Sequence, residues 1–165
     1  MRQAEMVGLY AYNYWANGLV LAAAARVSEA QLRQEARVSH GSLLGALVHV
    51  YAAEVIWRLR CEEGVSLSKL PVVDDFDSLA ALKEAWTVEE IKMRAYVAQL
   101  TSADLEGVIH YRNTVGTMYE NRLWHLLAHV VNHGTQFRAE AAVLLTEYGA
   151  SPGDLDMLKF WRQED

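Results

Sequence analysis

Three histidines stand four residues apart in one segment: His125, His129 and His133. Residues four apart on a helix differ by about 40° in azimuth and lie one turn apart, so adjacent members of this ladder can share an ion. Imidazole nitrogens bind zinc at about 2.0–2.1 Å, and a helical H-x-x-x-H pair offers two of them. A third donor must come from another segment, and His49 in Leu47-Val48-His49-Val50-Tyr51 is the candidate. A plainer reading competes: a histidine on an apolar helix face is usually a core side chain with one hydrogen bond. Leu126 follows His125 and Val130 follows His129, so the H-E-x-x-H pattern of zinc proteases is absent. His40 and His110 read as surface or loop residues. The single cysteine, Cys61, excludes an intramolecular disulfide and argues against a cysteine-based zinc site. Nothing beside it points to a lowered pKa, so it is not read as a nucleophile.

The elements that must position these residues are long helices. The only prolines are Pro71 and Pro152, and four long stretches run without strong breakers. The first spans about Arg2 to Arg26, where Met6, Leu9, Tyr10, Trp15, Leu19 and residues 22–25 form an apolar stripe at helical spacing. Ser28-Glu29-Ala30-Gln31 fits a capping box and a short helical turn. The second long helix spans about Ser42 to Glu63, carries His49 and stops at Gly64. A loop with Pro71 and Asp74-Asp75 leads to the third, about Ser78 to Leu100, with an N-cap at Asp77/Ser78. The fourth is expected from about Thr117 to Tyr148, opened by a capping box at Thr117–Glu120 and closed by Gly149. Between the third and fourth, β-branched residues and turn signals in 108–116 allow a small hairpin. A short closing element carries Phe160 and Trp161. The fold class expected is all-α: a four-helix bundle with a small hairpin before the last long helix.

The 165 residues suit one domain, 1–165, with enough chain to bury a core. Hydrophobic residues make up 52% and charged residues 22%, which excludes a disordered chain. The longest apolar run, Leu19 to Ala25, is far short of the ~20 residues of a membrane span, and no signal peptide is visible. A cytoplasmic protein without a membrane partner is expected. The net charge of −6 and the lack of a basic stripe argue against nucleic acid.

Several segments taken in order resemble the DinB-like family of metalloenzymes, across nearly the whole chain. They are Tyr12-Asn13-Tyr14-Trp15-Ala16-Asn17 in the first helix, the run from Leu47 to Trp57 containing His49, Glu54 and Trp57 in the second, the run from His129 to Glu140 in the fourth, and Ser151-Pro152-Gly153-Asp154-Leu155-Asp156 near the end. The resemblance implies a four-helix bundle, often a homodimer, holding a divalent metal on three histidines. One histidine comes from the second helix and two from the last. Carried over, the first is His49 and the next is His133, but the third position holds Phe137, which cannot ligate. Either His129 replaces the missing donor, moving the ion by roughly 6 Å along the helix, or the site has degenerated. The metal ligands expected are therefore His49, His129 and His133.

A three-histidine site with an open position lets zinc or nickel act as a Lewis acid or lower the pKa of a bound water or thiol. Some relatives resemble transferases and isomerases that use a low-molecular-weight thiol, which makes a metal-dependent transferase or hydrolase the leading class. The alternative is a metal-free, non-catalytic bundle serving as a binding or dimerisation module. Asn132, Glu54 and Arg138 are candidate supporting groups; each also reads as an ordinary polar, ion-paired or surface side chain. The five tryptophans read as packing anchors.

Overall fold

A computed structural model describes residues 1–163 of the chain. Helix α1 (Gln3–Ala24) and a short α2 (Glu29–Arg33) are followed by α3 (Leu43–Arg58), which continues into a π-turn (Leu59–Glu63). A 3-10 turn (Val73–Asp75) leads to α4 (Leu79–Gln99) and a short α5 (Ser102–Glu106). Strands β1 (Val108–Arg112) and β2 (Met118–Arg122) precede α6 (Leu123–Glu147), and α7 (Met157–Trp161) closes the described chain. No helix among the described residues is long and apolar enough to cross a membrane.

Helix starts follow side-chain chemistry. The hydroxyls of Ser28, Ser42, Ser78 and Thr101 accept the amide N–H groups of Gln31, Gly45, Ala81 and Asp104. These groups lack intrahelical partners in a first turn. The π-turn ends at Gly64, whose φ of 67° is a left-handed conformation that glycine adopts without a Cβ clash.

Side-chain pairings set the helix directions. Glu54 bonds Trp86 and Arg58 bonds Glu89, so α3 and α4 run parallel. His49 meets His133 while Trp57, further along α3, meets His129, earlier on α6, so these two run antiparallel. The bundle is thus up-down-down-up, and the parallel pair needs the long crossover of residues 64–78. The core lies in two clusters along the bundle. One includes Leu44, Leu47, Leu82, Trp86 and Leu145, and the other Tyr10, Met93, Leu105, Leu127 and Phe160.

The all-α bundle with a hairpin matches the sequence expectation, but the last long helix starts later than expected. Thr117–Glu120 is not a capping box: Met118–Arg122 is the second hairpin strand, paired from Val108↔Arg122 to Arg112↔Met118. The Leu123 amide donates to the Gly107 carbonyl, closing the hairpin onto the helix start. A Thr-x-x-Glu pattern describes local bonding only, and here the cross-strand ladder outcompetes it. Helix α5 was not expected, although Thr101 and Asp104 form its capping box.

The pair locking α3 to α4 is nearly enclosed. Arg58 binds Glu89 through Nε at 2.6 Å, and its Nη1 reaches Glu62 at 2.8 Å and Glu63 at 2.7 Å. Removing one member of a buried ion pair strands the other charge, at a cost of about 3–5 kcal/mol. Arg58→Ala is therefore expected to lower the urea unfolding midpoint severely, and Arg58→Met with Glu89→Met to recover most of the loss. An unchanged midpoint in Arg58→Ala would show that the ion pair contributes nothing to holding α3 against α4.

Candidate functional site

The antiparallel contact of α3 with α6 brings two histidines face to face. His49 Nε2 lies 3.0 Å from His133 Nε2. Both side chains are half-buried. A third imidazole joins from the loop before α3: His40 stacks on His49 with ring centres 3.6 Å apart and planes 20° from parallel. That loop is tied down by Ser39, whose amide and hydroxyl donate to Glu140 at 3.0 and 2.5 Å. Phe137 is buried beneath the cluster, its ring centre 4.4 Å from that of His49, 4.6 Å from His133 and 5.0 Å from His40.

The other histidines are less closely engaged. His129 is exposed one turn from His133, with ring centres 5.6 Å apart, and its ring meets Trp57 edge-on at 5.4 Å. His125 is exposed against Trp124, and His110 faces Glu120 across the hairpin at 3.5 Å. Of the sequence-predicted ligands, the structure joins His49 with His133 and leaves His129 beside them. His40 is a loop residue, as expected, but its sequence context assigns it no role; it stacks on His49 because the turn at residues 36–41 folds the loop back against the start of α3.

Burial and the neighbouring imidazole pull the pKa values of His49 and His133 down to about 4. Burial also lowers those of His40 and His129. The pair is neutral at pH 7. At 3.0 Å, two lone pairs or two N–H groups would repel, so one ring donates through Nε2 and the other accepts. His133 Nδ1 is enclosed and has no hydrogen-bond partner. An unpartnered N–H there would carry a desolvation cost, which favours a proton on His133 Nε2 and makes His49 the acceptor.

The two helices that carry the pair, α3 and α6, also share a buried polar network with α1 and α4. Glu54 accepts from the side-chain amides of Asn13 and Asn17 at 2.9 Å each and from the Trp86 indole at 2.8 Å. The carbonyl oxygens of the same two asparagines accept from Arg138 Nη1 at 2.6 and 2.8 Å. Burial pushes the Glu54 carboxyl above its ordinary pKa, opposed by its bonds from Asn13, Trp86 and Asn17. The network presses on the site's own helix: a Cβ added to Gly134 would lie 2.7 Å from Arg138 Nη1 and 3.0 Å from Asn13 Oδ1. Two of the sequence-level readings are corrected here. Arg138 is enclosed rather than at the surface, and Glu54 is bound by neutral donors rather than exposed. Asn132 is exposed, as its plainer reading had it.

The sequence matches the DinB family over residues 1–165. The chain belongs to that family. Protein DinB of Bacillus subtilis (strain 168) is 26% identical over 159 residues, covering 92% of each chain.

Against the three-histidine metal site that the DinB resemblance implies, the donor set fits in part. Two tetrahedral zinc ligands at 2.0–2.1 Å stand ~3.3 Å apart, so His49 and His133 need only a small adjustment to chelate. The third-ligand position does not fit, because Phe137 closes it with a phenyl ring packed on both imidazoles. His129 must turn from Trp57 to reach the pair. The usual partner behind a ligating imidazole is missing as well: metal on His133 Nε2 sends the proton to Nδ1, where no acceptor stands. Loss of such support typically weakens metal binding about 10–100-fold. Cys61 keeps its inert reading, since burial pushes its thiol up to about 12.

The histidine pair fixes the pH response of the metal-free protein. A histidine whose pKa falls on folding binds its proton more weakly in the native state. Its contribution to stability is complete above an unfolded value near 6.5 and is lost as pH drops towards about 4. In EDTA, the melting temperature is expected to fall across this window, and to fall less in His133→Gln. An equal fall in the variant would separate acid sensitivity from the pair.

Proposed function

We propose that this DinB-family chain binds a divalent metal ion, zinc or nickel, through His49 and His133, with His129 turning in as the third donor. The reading rests on one observation, the convergence of two neutral Nε2 atoms to 3.0 Å in a half-buried site. Binding is expected to be weak and exchangeable, because Phe137 blocks one donor position and His133 Nδ1 lacks support. When bound, the ion supplies Lewis acidity and lowers the pKa of a coordinated water or thiol. The chain's own residues set the surroundings. Phe137 excludes water from the inner side of the pair, and the loop held by Ser39 and Glu140 covers the outer side through His40. The reaction class proposed is metal-dependent group transfer to or from a low-molecular-weight thiol. A homodimer in solution is part of the same reading, carried over from the resemblance.

A second reading is favoured by the packing of Phe137: a metal-free bundle in which the hydrogen-bonded pair is structural and the protein acts as a binding or dimerisation module. Equilibrium dialysis of untagged protein against zinc and nickel, followed by elemental analysis, separates the two. The first reading expects saturable uptake approaching one ion per chain at high metal concentration, lost in His49→Ala and His133→Ala and weakened in His129→Ala. Phe137→His, which adds a donor at the position the phenyl ring closes, is expected to tighten binding. No uptake of either ion would overturn the metal reading in favour of the second. Full affinity in His129→Ala would remove that residue from the donor set.

A further inference from the structure

Two arginines stand close together where α3 passes into the π-turn, and their surroundings differ. Arg58 binds the carboxylates of Glu62, Glu63 and Glu89. Arg60 is only 6% exposed and has neither a salt bridge nor a hydrogen-bond partner among the described residues. Its guanidinium carbon sits 4.6 Å from the centre of the Trp57 ring and 5.2 Å from that of Tyr111. Aromatic faces attract the cation but satisfy none of its N–H directions. Only Nε is both enclosed and unpartnered, so the terminal nitrogens keep an edge open to a ligand.

The surroundings hold this arrangement in place. The Tyr96 hydroxyl donates to the Cys61 carbonyl at 3.1 Å, and the Val65 amide closes the turn on the Leu59 carbonyl. The hairpin supplies the second ring: Tyr111 donates to Asn121 at 3.0 Å, and the Arg112 amide ties the strand to Ser66. An arginine this enclosed is rarely left without a carboxylate partner.

We infer that Arg60, framed by Trp57 and Tyr111, is a binding site for the carboxylate of a small organic acid. A guanidinium edge matches a carboxylate with two parallel N–H bonds. A single cation with Glu62 and Glu63 on the same turn suits a monoanion better than a doubly charged phosphate. Trp57 is shared with His129, so the bound acid lies one side chain from the histidine cluster. The site does not depend on metal, and it stands or falls separately from the metal reading.

Titration of ¹⁵N-labelled protein with benzoate, with and without EDTA, tests this. Saturable shifts are expected at the Trp57 indole N–H and the Arg60 Nε–H in both conditions, with inorganic phosphate giving much weaker ones. Arg60→Gln is expected to weaken benzoate binding at least about tenfold, and Arg60→Lys, which keeps the charge without the fork, less. The proposal is overturned if wild-type protein shows no saturable shift at these two resonances, if phosphate binds there as well as benzoate, or if folded Arg60→Gln or Arg60→Lys binds benzoate as wild type does.

Discussion

A carboxylate and a guanidinium, both sealed from water, are joined through two asparagine side chains at the centre of this bundle. Each asparagine gives its amide N–H to Glu54 and its carbonyl to Arg138, so the charges are coupled through polarised amides without touching. Isolated buried charges are expensive, and partly satisfied networks are worse than apolar packing. Here Thr135 takes a further Arg138 nitrogen and Trp86 fills the second Glu54 oxygen. The network draws on α1, α3, α4 and α6 and lies where the two apolar clusters meet. Apolar side chains tolerate a shift of half a turn; these bonds do not. The register they impose decides that His49 and His133 stand opposite each other.

Gly134 connects this constraint to the site. Helix side chains lean towards the N-terminus, so Arg138 folds back over the preceding turn and its Nη1 occupies the space beside Gly134. His133 is the preceding residue on the same turn. A side chain at Gly134 would have to displace a guanidinium fixed by bonds to Asn13, Asn17 and Thr135. The histidine pair and the polar network are two faces of one packing arrangement, and neither can shift along the bundle alone.

Much of the scaffold was legible because it follows local rules. Ser28 and Ser78 cap helices where the sequence placed caps, and Gly64 ends the second helix as expected. The start of α6 was misread because Thr117–Glu120 satisfies a local bonding pattern, whereas its strand identity depends on pairing with Val108–Arg112. The His49/His133 pairing came from the family resemblance, and spacing alone would have favoured His129 with His133. His40 and Arg138 escaped for a different reason. A loop histidine and a helical arginine carry no mark of burial until the neighbours that enclose them are known. Asn13 and Asn17 offered the available hint, two small polar residues four apart on a largely apolar helix, a spacing that places both on one face.

Phe137 ties together the site's apolar and polar character. Its ring packs edge-on to His49 and against His133, giving each imidazole a low-dielectric side, and burial is the main cause of their depressed pKa values. A histidine in its place would add a donor and also a polar group needing its own partner among the apolar residues of that cluster. The ring offers no donor of its own and adds to the burial that lowers both imidazole pKa values. A neutral imidazole can accept a hydrogen bond from its neighbour or offer a lone pair to a metal, so one phenyl ring withholds a donor and favours the neutral form of the two imidazoles beside it.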